Sequence, residues 1–222
     1  METIFFLRKV PEAAAPLPCF DKRLSAVYNR VSSETTREVT TMRLVIASDI
    51  HGSALYCGKL LEAFHREEAD KLLLLGDLLY HGPRNDLPEG YDPKTVTAQL
   101  NACADRILAV RGNCDAEIDQ MVLHFPILAD YCLLWAGGRC FFVTHGHLYH
   151  TAALPPMQEG DILLHGHTHV PCWEEFGQRN LYLNPGSVSL PKDGTARGYM
   201  LLDDERIVWR TLEGGSIHEL LL

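Results

Sequence analysis

Seven side chains able to ligate a metal ion follow one another along the 222-residue chain: Asp49 and His51, then Asp77, Asn113, His145, and finally His167 with His169. Each stands at or just past the end of a short apolar run: Leu44 to Ala47, Leu72 to Leu75, Ile107 to Val110, Phe141 to Val143 or Ile162 to Leu164. Such runs read as buried strands, and open α/β sheets carry their sites beyond the carboxyl ends of strands. Carboxylate, amide and imidazole donors with no sulfur among them suit manganese, iron or zinc. Two such ions ~3.5–4 Å apart, bridged by a carboxylate, would clamp a phosphoryl group and convert a shared water into a bridging hydroxide nucleophile. The chemistry expected is hydrolysis of a phosphate ester.

Singly, the motifs say less. Gly76-Asp77 after four leucines fits a helix cap, Gly112-Asn113 a turn, and Asp49-x-His51 a turn followed by a surface histidine. Gly166-His167-Thr168-His169 is stronger, because imidazoles at i and i+2 in extended backbone point the same way. It is the ordered set, every member closing an apolar strand, that makes metal binding the better explanation.

The elements that must position these donors alternate from Met42 onward. We expect strands at 43–48, 71–75 and 106–110, with helices over roughly 53–68 and 93–104 between them, a βαβαβ start. After Asp115 the runs shorten, with strands near 131–135, 139–144, 161–165, 171–176, 180–183, 198–203 and 206–211, which predicts two sheets packed together. The loop from Tyr80 to Asp92, with Gly82, Pro83, Pro88 and Gly90, is long enough to be functional. Residues 1–41 are Pro-interrupted, then polar, and show no core period, so they are expected to be a poorly ordered extension or an overlong start.

Composition narrows the function classes. A formal net charge of −9 (20 Lys and Arg against 29 Asp and Glu) argues against a groove that tracks nucleic-acid phosphates. Seven cysteines, odd in number and with no pair at two-residue spacing, indicate neither a zinc knuckle nor a disulfide framework, and fit a reducing cytosol. No apolar run approaches the ~18 residues of a membrane span.

Asp49-x-His51, Gly76-Asp77, Gly112-Asn113, His145-Gly146-His147 and Gly166-His167-Thr168-His169 together resemble the five motifs of the calcineurin-like metallophosphoesterases. Tyr80 to Asn85, Leu87 to Tyr91, Val110 to Asp115, Leu123 to Pro126 and Asn184 to Ser189 narrow the likeness to small bacterial phosphodiesterases of that family. The resemblance implies a four-layer α/β/β/α sandwich of two mixed sheets. It also implies two divalent ions (Mn first, with Fe, Zn, Co and Ni as alternates), the first on Asp49, His51 and His169, the second on Asn113, His145 and His167, and Asp77 bridging. A small phosphodiester is the implied substrate, Arg84 and His81 are candidates for contacting it, and His147 is left as a substrate-facing candidate. Many relatives carry a histidine after the Asn of the Gly-Asn motif as leaving-group acid; here Cys114 stands there. A thiol of pKa ~8.5 is a poorer acid catalyst at neutral pH than an imidazole of ~6.5, so aryl leaving groups should be favoured. The alternatives are a phosphomonoesterase or nucleotidase, and a weakly catalytic protein-binding scaffold such as the retromer subunit similar to this family. Self-association is the default for an enzyme of this kind.

Overall fold

The computed structural model describes residues 42–222; the expected extension at 1–41 lies outside them. Among the described residues, eleven strands form two mixed sheets. The first sheet has the order β11(Ser216–Leu221), β10(Arg206–Thr211), β9(Gly198–Leu202), β1(Leu44–Ala47), β2(Lys71–Leu74), β3(Ile107–Ala109), and the second β4(Tyr131–Ala136), β5(Arg139–Thr144), β6(Ile162–Leu164), β8(Asn180–Pro185), β7(Pro171–Phe176). β1, β2 and β3 run parallel, as do β5, β6 and β8.

Alternation along β1 and β2 divides the core. Val45, Ala47, Leu72 and Leu74 face α1(Ala54–Arg66) and α2(Pro93–Asn101), packing with Leu60, Phe64, Val96 and Leu100. Leu44, Ile46, Leu73 and Leu75 face the other sheet and meet Phe141, Val143, Ile162, Leu164 and Leu183. A strand buried on both faces has no polar side, which is why these runs are unbroken in the sequence. Trp209 of β10 locks the sheets together: it is fully buried, and its indole N–H donates to Asn184 O of β8 at 2.7 Å. Burying a side chain of that size contributes roughly 3 kcal/mol or more. The helices start where caps allow, Ser53 Oγ accepting from Tyr56 N (3.3 Å) and Asp92 Oδ1 from Thr95 N (3.2 Å).

The expected α/β sandwich is present, with its helical layer on the six-stranded sheet. The outer face of the five-stranded sheet carries no helix among the described residues. The segment from β5 to β6 covers part of it, with Tyr149 edge-on to Phe142 (5.4 Å) and Tyr131 (6.3 Å). Two elements were not expected: the single turn α3(Glu117–Gln120) and the edge strand β11, whose outward residues break any apolar period. No helix among the described residues is long and apolar enough to cross a membrane.

Candidate metal centre

Each candidate donor follows a strand. Asp49 and His51 follow β1, Asp77 follows β2, Asn113 follows β3, His145 follows β5, and His167 with His169 follow β6. Three parallel strands of one sheet and two of the other thus deliver all seven to one end of the sandwich, where two groups form among these donors and a third, His51 and Asp77 with Cys114, overlaps both. Asp49, His51 and His169 lie with their ligand atoms within 4.8 Å of one another, and so do Asp77, His145 and His167.

The chain reaches this convergence by leaving extended geometry abruptly. Eight non-glycine residues among those described have positive φ, and five of them are donors: Asp49 (61°), His51 (50°), Asp77 (56°), His167 (67°) and His169 (63°). Left-handed backbone at such residues costs of order 1–3 kcal/mol each and persists where the surroundings over-determine it. This corrects one step of the sequence argument. His167 and His169 do not point the same way from an extended segment; both are left-handed, and they serve different groups.

Close approach between the loops demands small residues. A Cβ on Gly112 would strike Asp77 Oδ1 and N, and one on Gly166 would strike Ser48 Oγ. Gly112 is therefore required by the β2 loop pressing against it, beyond the turn it was expected to make. Asp115, buried beside it, accepts three main-chain hydrogen bonds, from Asp77 N (2.8 Å), Leu78 N (2.8 Å) and Gly112 N (2.7 Å). It fixes the loop that carries Asp77, a role sequence reasoning missed although Asp115 lies in a motif already singled out. The Asn184 to Ser189 turn braces the other side. Asn184 Nδ2 donates to Gly166 O (2.9 Å), while Ser187 and Ser189 hydroxyls donate to Asp49 O (2.9 and 3.1 Å). Its amides at Gly186, Val188 and Leu190 are bonded within the protein.

Ring orientation reveals what the groups are built to hold. His51 Nδ1 lies 2.8 Å from Tyr80 O, His145 Nδ1 2.7 Å from Leu75 O, and His169 Nδ1 2.6 Å from Leu190 O. A carbonyl oxygen only accepts, so each Nδ1 carries hydrogen and each Nε2 is turned inward, the arrangement that aims a histidine at a metal. Those Nε2 atoms face carboxylates: Asp49 Oδ1 lies 3.3 Å from His169 and 3.5 Å from His51, and Asp77 Oδ2 lies 3.6 Å from His51 and 3.5 Å from His145. Asp77 Oδ2 therefore stands between the two groups, where a shared ligand belongs. The second oxygens are tied to the main chain, Asp49 Oδ2 by His167 N (3.0 Å) and Asp77 Oδ1 by Cys114 N (2.8 Å). Asp49 Oδ1, fully buried, receives no directed hydrogen bond. A buried carboxylate oxygen without a donor calls for a cation.

The surroundings shift the titration of these groups. Burial would raise Asp49, but the facing rings of His169 and His51 outweigh it and hold the carboxyl well below its ordinary value. Burial opposes a charged His145, yet the hydrogen bond to Asp77 and the charges of Asp49 and Asp77 overcome it and raise the ring to about 9. His167 moves the other way, pushed down to about 4 by burial and by His145 beside it. The donor set, oxygen and imidazole around two buried carboxylates, fits divalent cations.

Asn113 is exposed, with Oδ1 3.1 Å from His145 Nε2, and Cys114 lies next to it, its Sγ 3.2 Å from Asn113 Nδ2. Both open onto a cavity of about 770 Å³ that is lined also by Tyr80, Gly82 to Asn85, Thr168 and Lys192. Arg84 is thus at the cavity, whereas His81 packs edge-on between Tyr80 (4.7 Å) and Tyr91 (5.4 Å) and does not line it. His147 sits 5.4 Å from the His145 ring and lines a second cavity of about 330 Å³ with His150, His165, Tyr182 and the donor His167, which lines both cavities.

Comparison with known proteins agrees with this geometry. The Calcineurin-like phosphoesterase superfamily domain matches residues 42–206. The chain is 48% identical over 176 residues to phosphodiesterase YfcE of Escherichia coli K12, covering 79% of this chain and 95% of that protein. It is 29% identical to a probable metallophosphoesterase, YsnB, of Bacillus subtilis, covering 72% and 83%. The solved structure of YfcE, described as a phosphoesterase from E. coli, superposes with a TM-score of 0.77 at 45% identity, over 81% of this chain and 98% of that one. Vps29 of Entamoeba histolytica complexed with zinc shares the fold alone, with a TM-score of 0.50 at 20% identity over 82% and 98%. With most of its length matched, the chain belongs to the calcineurin-like phosphoesterase superfamily.

Proposed function

We propose that this protein is a metal-dependent phosphodiesterase acting on small phosphodiesters, with two divalent cations, manganese foremost, at the two donor groups. The observation that carries the reading is the triplet of histidines whose Nδ1–H engages a main-chain carbonyl while Nε2 faces Asp49 or Asp77. Asp49, His51 and His169 would hold one cation, Asn113, His145 and His167 the other, and Asp77 both. When bound, the cations supply Lewis acidity toward the phosphoryl oxygens and an activated water at neutral pH.

The chain's own residues do the rest. Arg84 offers a guanidinium to the nonbridging phosphate oxygens, and His81 braces its loop between Tyr80 and Tyr91. Cys114 holds the position of the leaving-group acid. Burial and the neighbouring Asp77 carboxylate push its thiol above the ordinary range, so it stays protonated and gives up its proton poorly. Leaving groups that need little protonation, aryl over alkyl, are therefore favoured. The YfcE relationship supports a diester substrate, and a complete, oriented donor set is more than a protein-binding scaffold requires. The cysteine usage supports a cytosolic location.

Stripping the protein of metal and adding back single cations, with aryl mono- and diesters assayed side by side, tests the reading. Restoration of diester cleavage above monoester cleavage, best with Mn²⁺, is the expected result. Folded protein inactive with every cation would remove the enzyme reading, and faster monoester cleavage would make it a monoesterase.

A further inference from the structure

We propose that Lys192 forms a second anion subsite, so that preferred substrates carry a negative charge on the arm beyond the scissile phosphate. The inference rests on the phosphodiesterase reading above. Beyond the donors, the charged side chains at the cavity are Arg84 and Lys192, both cationic in a chain of net charge −9. Among the described residues neither makes an ion pair within 4.0 Å, unlike Arg43, Lys59 or Arg206, which do.

The main chain of Lys192 is held by the site itself, and its side chain is exposed. Its N–H donates to His169 O (3.2 Å), the His169 ring donates to Leu190 O (2.6 Å), and Thr195 N–H donates back to Lys192 O (3.0 Å). The lysine thus leaves from a turn hung on a donor histidine, while Arg84 leaves from the loop hung on His51 through Tyr80 O. A phosphodiester carries one negative charge at the reacting phosphate, and bound cations with Arg84 already answer it. A further unpaired cation on the same cavity matches a second anionic group, a carboxylate or a phosphate. The cavity has room for it: about 770 Å³ lies within the ~300–1,000 Å³ usual for small-ligand sites. An ammonium on a flexible stem reads charge rather than planar shape, so the preference is for charge and not for one acid.

Two chromogenic diesters with the same aryl leaving group, one with a neutral alkyl second arm and one ending in a carboxylate, are compared on metal-loaded full-length protein. In Lys192→Gln the ratio of kcat/KM for the carboxylate arm over the neutral arm falls about three- to five-fold, through KM, as expected for an exposed charge contact. Lys192→Arg retains the ratio, and high salt lowers it in the parent. A ratio unchanged within about two-fold in Lys192→Gln, whether both substrates slow together or neither does, overturns the proposal. Calorimetric binding of phenylphosphonate against para-carboxyphenylphosphonate gives the same ratio without turnover. Protein that cleaves no diester yet loses this binding preference in Lys192→Gln refutes the phosphodiesterase reading and leaves the subsite standing.

Discussion

The two donor groups are built from the same residue types but sit in different surroundings. In one, Asp49, His51 and His169 are 0%, 0% and 3% exposed, and each is braced by a main-chain or serine contact from a neighbouring loop. In the other, Asp77 and His145 are as deeply buried, but His167 is half-buried and Asn113 is exposed at the cavity. Rigid, enclosed ligands bind a cation tightly, whereas a half-open set leaves positions for substrate oxygens. On the proposed two-cation reading, a cation in the enclosed group would mainly organise the site and one in the open group would mainly meet the substrate.

The largest expected effect comes from attacking the enclosed half. His51→Ala removes a ligand, leaves the Asp49 charge buried with one fewer partner, and should lower diester turnover by about 1,000-fold or more, the several kcal/mol of transition-state charge stabilisation a bound cation supplies. Steady-state kinetics on protein whose fold is checked by circular dichroism measures it. A loss below ten-fold would mean that the enclosed half is dispensable.

A smaller effect is expected where the loop between the halves is fixed. Asp115→Asn keeps the size but gives up the charge that receives the amides of Asp77, Leu78 and Gly112, and should reduce kcat/KM by about 10–100-fold, as loss of a ligand-orienting partner does. Metal affinity measured alongside should fall with it. Unchanged affinity would place Asp115 outside the support of the centre.

The pH dependence follows from the histidines. A cation needs a neutral Nε2, and without a cation His145 is raised to about 9 and His51 is raised as well, burial opposing and Asp49 outweighing it for His51. The proton competes with the metal below those values, so affinity rises with pH toward 9 and then levels. The slope approaches about ten-fold per pH unit for each proton displaced. His167, already neutral, contributes nothing to this slope. Calorimetry of the stripped protein in buffers of different ionisation enthalpy reads the released protons, and Mn²⁺ affinity independent of pH would contradict the assignment.

The smallest change is one of selectivity on the open side. Cys114→His should raise alkyl-diester turnover relative to aryl-diester turnover, by up to about 100-fold where protonation limits the reaction. Equal parental rates on both ester classes would remove the leaving-group argument.

Much of this was legible in the sequence because strand ends announce themselves. Four-residue apolar runs, followed by Ser48-Asp49, Gly76-Asp77 and Arg111-Gly112-Asn113, marked β1, β2 and β3 within a residue or two, and with them the sheet edge that gathers the donors. What sequence could not carry was conformation and main-chain partnership. Nothing about Asp49 or His169 as a residue type signals a left-handed φ; the packing of neighbouring loops imposes it. The carbonyls of Leu75, Tyr80 and Leu190 that orient three rings are anonymous for the same reason, since any residue offers one. β11 went unseen because an edge strand alternates weakly, with Leu220 half-buried and Leu221 exposed. Lys192 had no motif around it and became visible only as part of the cavity wall.

The central claim is that the centre holds two unlike cations, one enclosed and one open. Titrating metal-stripped protein with Mn²⁺ and counting bound ions tests it most directly, in the parent and in Asn113→Ala. Two ions per chain are expected in the parent, in a tight step and a weaker one, with Asn113→Ala keeping the tight step and losing the weaker. One ion in the parent, or loss of both steps in Asn113→Ala, would contradict it.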